Sequence, residues 1–490
     1  MTSLYPSTDK TFERVTNIPF WIVFVIALYT PFEEFFLRWL PGIIPVALRF
    51  VPELVLYGLL VYVCGMRLIR GNSLRKTPID LLVALFFAAT AVSIVLNGSP
   101  IVGSIINLRT IWRYLSVFYI VVNLDISFSE LRRLLKGLRI VMLIQGIIGS
   151  VQYFLPASFN QAFFAPRGFE IGDYEGESPA ATQGGLKVGA TAGTFSDSAV
   201  LSAFLLIGLS LFLSGTFAVG NGLLPSFSEM GSIGTIMFGI FASKKRAALA
   251  IALISPLLVL LVLNRRRSLI NTTWLYSALG ILGLLGIALF VGSVESFSGA
   301  DDRQKSIDLS TYFLQVFSAD YWQQSNEQAR GWFMQTILHG LFSTRSWFGF
   351  GPDFEHTQKA LRATLSTATD MAKLERDAPV FDDSFWFAFM AYFGIVGTAI
   401  YGFMLKRLYD SARWLARVSS RPELRTLGAT FGTLIFMTVL YTFVERIFRL
   451  RAFSFYFWLL AGLVVNMCHV KMAEIEQSRR LQTHTDEHIG

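Results

Sequence analysis

The sequence predicts an all-α, polytopic integral membrane protein with about twelve transmembrane helices and one large extracytoplasmic, partly helical loop. Three observations predict it. The chain is 53% hydrophobic and only 16% charged, where a soluble domain carries about 25% charged residues. Its apolar residues, 45 phenylalanines among them, fall in blocks of spanning length rather than in short alternating strands. Its connectors sort by charge. Helices are the form such blocks take, because backbone inside a bilayer must satisfy its own hydrogen bonds.

Taken in order, spans are expected near 18–37, 43–65, 79–97, 104–124, 138–156, 194–214, 231–243, 247–264, 273–293, 384–405, 426–444 and 452–470. The 231–264 region also reads as one long broken element. The N-terminal "MTSLYPSTDKTFERVTN" leads into the first apolar run without a small-residue cleavage site, so that run is expected to stay as a span. The chain divides into N-terminal helices (1–293, with a medium outer loop at 157–193), the large loop (294–383), C-terminal helices (384–470) and a tail (471–490).

The formal net charge of +8 is accounted for by the positive-inside bias, so no nucleic acid partner is called for. "RLIRGNSLRKTP", "ELRRLLKGLR", "NRRRSL" and "KRLYDSARWLARVSSRPELR" all fall on one side if the spans alternate, and "KMAEIEQSRR" joins them. That side is expected to be cytoplasmic, with both termini. Two basic groups then stand on the wrong face: Lys244, Lys245 and Arg246 between two apolar helices, and Arg446 within "ERIFRLR". A cation at mid-bilayer costs roughly 2.5–3.5 kcal/mol even on a lenient insertion scale. These residues therefore either snorkel to outer phosphates or form an extracytoplasmic anion site. Glu33, Glu34 and Glu53 are acids near the outer ends of spans, and no span carries a proton-relay series. Cys64 and Cys468 read as small apolar residues, and neither nucleotide-binding nor metal-ligand spacing occurs, the five His being scattered.

The long outer segment is patterned. Ser325 and Gln328 make a capping-box start. Phe333, Ile337 and Leu341 recur at helical spacing, with Arg330 on the same stripe as an anchor or an anion ligand. In "RSWFGFGPDF", Gly349, Gly351 and Pro352 force a sharp turn. Asp382 and Asp383 close the segment at the lip of the next span, where acids suit a helix N-terminus.

Four stretches, "GTFSDSAVLSAFLL", "ASKKRAALAIAL", "RGWFMQTILHGLFSTRSWFGFGPDF" and "DSFWFAFMAYFGIVG", resemble motifs of the O-antigen ligase and polysaccharide polymerase superfamily of bacterial envelopes. Arg246 falls on that family's arginine in the second, Arg330 on its loop arginine in the third. Asp383 stands where the ligases have His, while Gly394 keeps the glycine eleven positions later. The resemblance implies a glycosyltransferase in the bacterial inner membrane, acting on the outer face. Its donor is a polyprenyl-pyrophosphate-linked glycan, and its acceptor a sugar hydroxyl on another lipid-linked unit. A flippase and a chain-length regulator of the same pathway are implied partners, and neither metal nor cofactor is implied. The Asp at 383 favours the polymerase branch over a ligase that transfers to lipid A-core. A lipid-linked glycan flippase is the alternative of another class. By this resemblance Arg246 and Arg330 grip the pyrophosphate, with Lys245 and Arg446 beside them. Asp383 either takes the acceptor's proton or caps its helix.

Overall fold

A computed structural model describes residues 18–40, 44–164, 190–219, 226–263, 330–365, 371, 374 and 385–487. The described residues are helical throughout, without a strand. Among them nine helices are long and apolar enough to cross a membrane, or ten if one bent pair counts as a span, which makes this a multi-pass membrane protein.

The first span is α1 (Ile18–Tyr29), a turn at Thr30–Phe32 carrying Pro31, and α2 (Glu33–Leu37). Then come α3 (Ile44–Ile69) and α4 (Asp80–Asn97). The bent pair is α5 (Ile101–Trp112) and α6 (Leu115–Asn123), broken by 49°. After α7 (Phe128–Phe154) and the short α8 (Ala157–Phe163) follow α9 (Ser198–Val219), α10 (Phe227–Ala242) and α11 (Arg246–Leu263). The loop contributes α12 (Arg330–Ser343) and α13 (Phe354–Ala363). Last are α14 (Phe385–Val418), α15 (Pro422–Tyr441) and α16 (Arg451–Glu487).

The helices run further than the apolar blocks. The basic "ELRRLLKGLR" is not a connector but the opening of α7, because Ser127 and Glu130 close a capping box ahead of it. The basic stretch from Lys406 likewise continues α14 to Val418, with Lys406 and Asp410 paired at 2.8 Å. The expected span at 273–293 lies outside the described residues, as does the Ser325–Gln328 capping box.

The core is α9, whose apolar window is buried completely, packed with α15 and α16; α3 and α4 are peripheral. Small residues let these backbones meet. Gly428 of α15 faces the Ala412 carbonyl and Ala416 amide of α14, and Gly462 of α16 faces the Phe118 carbonyl of α6. The Ser210 hydroxyl donates to the Thr430 carbonyl at 2.8 Å.

Polar contacts mark two ends of the bundle. At the tail end, Arg132 meets Glu423 at 2.5 Å and Arg421 meets Glu474 at 3.1 Å. There the buried Asn466 amide donates to the Val121, Val122 and Leu124 carbonyls, closing the end of α6. Burial pulls the Arg75 guanidinium below its ordinary pKa, and the neighbouring Asp125 pushes it back up. The loop end gathers the breaks: Pro31, the α5–α6 bend, the α10–α11 turn, residues 441–451 and the loop itself.

Candidate functional site

The "GTF" stretch precedes α9 and acts as a knot. Gly193, at φ +65°, accepts from the Gln152 amide at 2.6 Å and donates to its carbonyl at 2.7 Å. Thr194 donates to the Pro31 carbonyl at 2.5 Å and accepts from Gln145 at 2.5 Å. Thr191 donates its amide to the Ala242 carbonyl at 3.1 Å. The first span's break, α7 and the α10–α11 turn are thereby tied together.

That turn carries the basic triplet. Lys244 adopts φ +53°, which lets the chain reverse within one residue and start α11 at Arg246. Lys245 bonds Glu445 at 2.8 Å, so residues 445–446 are drawn to the turn, bringing Lys245, Arg246 and Arg446 to one region. Arg246 and Arg446 are half-buried. Arg330 opens α12. Phe333, Ile337 and Leu341 are buried as the stripe requires. Asp382 and Asp383 lie outside the described residues.

The structure gathers four arginines, none of them singled out by the sequence, around Glu33, Glu34 and Glu53. The Glu53 carboxylate, 3% exposed, meets Arg109 at 2.6 Å, Arg113 at 3.3 Å and Arg451 at 3.4 Å. Arg451 also meets Glu33 at 3.6 Å, the Arg49 carbonyl at 2.6 Å and the Tyr114 hydroxyl at 3.4 Å. Arg49 meets Glu34 at 3.7 Å, and Glu34 accepts the Ser196 amide at 2.5 Å. Local sequence explains the convergence. Pro31 breaks the first span just before Glu33 and Glu34. Arg109 and Arg113 lie four apart on one helical face, and the α5–α6 bend falls at Arg113–Tyr114. Pro52 stands beside Glu53 within α3.

Burying such groups is expensive unless each charge finds a counter-charge. Glu53 supplies one for three guanidinium groups at once. Among the described residues the cluster joins four arginines (49, 109, 113 and 451) to three glutamates (33, 34 and 53). Arg109, 30% exposed, is its outward member. Both α11 and α16 also begin with arginine and have no acid in their first turn. A helix N-terminus ordinarily prefers anions. Two cationic starts at one end therefore form a region suited to a multiply charged anion, which guanidinium forks bind bidentately.

The loop is seated on this region. Helix α14 breaks at Gly394 (φ +67°), and the G-x-G turn fills the break: Phe350 donates to the Ala391 carbonyl at 2.8 Å, Val396 to the Trp347 carbonyl at 3.2 Å. Gly349 (φ +82°) and Gly394 lie against each other's backbone, so a Cβ on either would clash. The Asn97 amide donates to the Gly349 carbonyl at 3.1 Å. Asn107 donates to the Pro352 carbonyl at 2.6 Å while its own carbonyl accepts from Arg449 at 2.8 Å. Arg449 also lies 5.7 Å from the Tyr392 ring centroid.

Among the described residues no group of three or more His, Cys, Asp or Glu could hold a metal ion. Comparison of the chain with protein-family models and with curated proteins returned no match.

Proposed function

We propose that this chain is a bacterial inner-membrane glycosyltransferase of the polysaccharide polymerase type, joining a polyprenyl-pyrophosphate-linked glycan to a sugar hydroxyl of another lipid-linked unit. The observation that carries this reading is the buried, arginine-rich cluster at the end where the loop is seated. Transfer from such a donor develops negative charge on the departing pyrophosphate, and preorganised guanidinium groups in a dry site stabilise it strongly. The acceptor oxygen attacks the anomeric carbon. The bond to pyrophosphate breaks with its electron pair, and the acceptor's proton passes to a base.

In this reading Arg246, Arg330, Lys245 and Arg446 face the pyrophosphate together with Arg109, and Asp383 is the base. About twelve spans are expected once 273–293 and the shorter α10 are included with the bent pair. The basic tail end faces the cytoplasm with both termini, and the loop is extracytoplasmic. The gathering of charge at one end, rather than along a central path, favours transfer over transport of the lipid-linked glycan.

The test is the surface-glycan gel profile of a deletion strain. Loss of long chains with single repeats retained supports the polymerase. A stranded lipid-linked polymer identifies a ligase, and single repeats trapped on the inner leaflet a flippase. Within the polymerase reading, Arg246→Lys keeps the charge but loses the fork, and is expected to cut polymer strongly at normal protein abundance. Full activity would remove Arg246 from the site.

A further inference from the structure

Tyrosines and tryptophans inside a protein ordinarily find a partner for their polar ends, and several here do. The Tyr441 hydroxyl bonds that of Ser202 at 2.9 Å, the Tyr456 hydroxyl donates to the Ala27 carbonyl, and the Trp386 indole donates to the Val439 carbonyl at 3.2 Å. Buried serines behave likewise: Ser202 and Ser255 each donate to the carbonyl three residues back.

Four groups beneath the arginine cluster do not. Among the described residues the Ser454 hydroxyl, the Trp458 and Trp112 indole nitrogens and the Tyr401 hydroxyl have no hydrogen-bond partner. Ser454, Trp458 and Tyr401 are each 1% exposed and Trp112 is 7% exposed. The four are contiguous. On α16, Arg451, Ser454 and Trp458 follow at spacings of three and four, so they share one face that leads inward from the cluster. The Trp458 ring stands 5.7 Å from that of Trp112 at the end of α5, and Trp112 stands 5.6 Å from Tyr401 of α14. Tyr401 lies two turns past the break at Gly394.

The chemistry of the four groups selects what would satisfy them. An indole N–H only donates, whereas a hydroxyl both donates and accepts. The matching molecule offers an oxygen to the two indoles and hydrogens to the two hydroxyls. Water has that pattern, and a buried water typically serves about three such groups. Unmet polar groups sealed inside a protein call for a partner of this kind.

We propose that α5, α14 and α16 enclose a short file of ordered water held by Ser454, Trp458, Trp112 and Tyr401. It begins one turn inward of Arg451 and ends on α14, the helix whose break the loop turn fills. Shut off from bulk solvent, these waters join the helix that carries Arg451 to the helix on which the loop is seated. The water site stands on burial and pairing and does not depend on the transfer reading.

The test is X-ray radiolytic footprinting of the full-length protein in nanodiscs, read by mass spectrometry. The pulse makes hydroxyl radicals in place from water, so a sealed ring is oxidised chiefly where water lies against it. Trp112, Trp458 and Tyr401 are expected to be oxidised, Tyr401 about tenfold more than Tyr441 and Tyr456, which are as deeply buried but paired. When heavy-oxygen water is mixed in just before the pulse, these rings should still take up mainly the light isotope, because an enclosed file exchanges slowly. Ser454→Ala and Tyr401→Phe each remove one anchor and are expected to lower oxidation of Trp458 and Trp112 roughly threefold. Tyr441→Phe, at a paired hydroxyl, leaves that oxidation unchanged. Tyr401 no more reactive than Tyr441 overturns the proposal, and means that the stripe is dry with its N–H groups turned onto neighbouring rings. Immediate uptake of the heavy isotope also overturns it, since the stripe is then open to bulk solvent. So does undiminished oxidation in both anchor variants. The comparison of tyrosines is made in wild-type protein, so it requires no variant to fold.

Discussion

The two ends of the bundle solve the same problem, joining helices by polar contacts, in opposite ways. At the tail end the pairs are wet: Arg132 is 72% exposed in its contact with Glu423, and Asp125 is 79% exposed beside Arg75. Such pairs contribute about 0–1 kcal/mol each. A dry contact between helices there, Asn466 on the end of α6, involves no charge. At the loop end Glu53 and Arg113 are nearly sealed, and two spans, one at Pro31 and one at Arg113–Tyr114, are broken where the charges meet. Replacing a buried ion pair by apolar side chains is often neutral or stabilising. Stability alone therefore explains the tail end and leaves the loop end unexplained. Local rules broken in one place mark the place where function is expected.

Four substitutions sharpen or break this contrast, each compared by unfolding in the same detergent. The largest effect is expected from Glu53→Ala, which strands three guanidinium groups without their shared carboxylate. About 3–5 kcal/mol should be lost, seen as a fall in Tm or a failure to purify monodisperse. A loss below 1 kcal/mol would mean that the cluster is wetter than its geometry. Next is Gly394→Ala, where a left-handed residue and the Trp347 carbonyl leave no room for a methyl group. About 1–3 kcal/mol of strain is expected, with the loop around Gly349 becoming protease-sensitive before the rest. Arg109→Lys comes third. The cation remains and Glu53 keeps a partner, so stability should move little, but polymer synthesis is expected to fall by roughly ten- to a hundredfold because the fork is lost. Unchanged synthesis would detach the cluster from the chemistry. Smallest is Glu423→Gln at the tail end, expected to cost less than about 1 kcal/mol and to shrink further in high salt. An equal cost for Glu423→Gln and Glu53→Ala would erase the distinction between the two ends.

Much of the fold was legible because membrane helices announce themselves in composition. The blocks at 18–37, 79–97 and 426–444 lie close to observed helices, and the stripe of Phe333, Ile337 and Leu341 was readable from spacing alone. The turn at Gly349 and Gly351 was likewise readable, though that it plugs the break at Gly394, forty-five residues on, was not. Helix ends were misjudged where caps and charged amphipathic turns extend a helix past its apolar block, as Ser127 and Glu130 do for α7. The site was half legible. Lys245 and Arg246 stood out because they break the positive-inside pattern. Arg109 and Arg113 did not, since two arginines four apart near a span's start pass for interfacial residues. Their partner Glu53 is set by tertiary pairing, and Arg451 meets it across 398 positions of sequence. The available signal was local: Glu33 and Glu53 each follow a proline closely, Pro31 and Pro52.

Asn107 has one more consequence. A single amide group holds the loop through the Pro352 carbonyl and holds Arg449 through its own oxygen. The seat of the loop at Pro352 and the position of that guanidinium are therefore linked. Any molecule that binds more tightly when Arg449 is held in place must, by reciprocity, tighten the loop by the same factor, and a loosened loop must weaken that molecule equally. One side chain couples Arg449 to the loop.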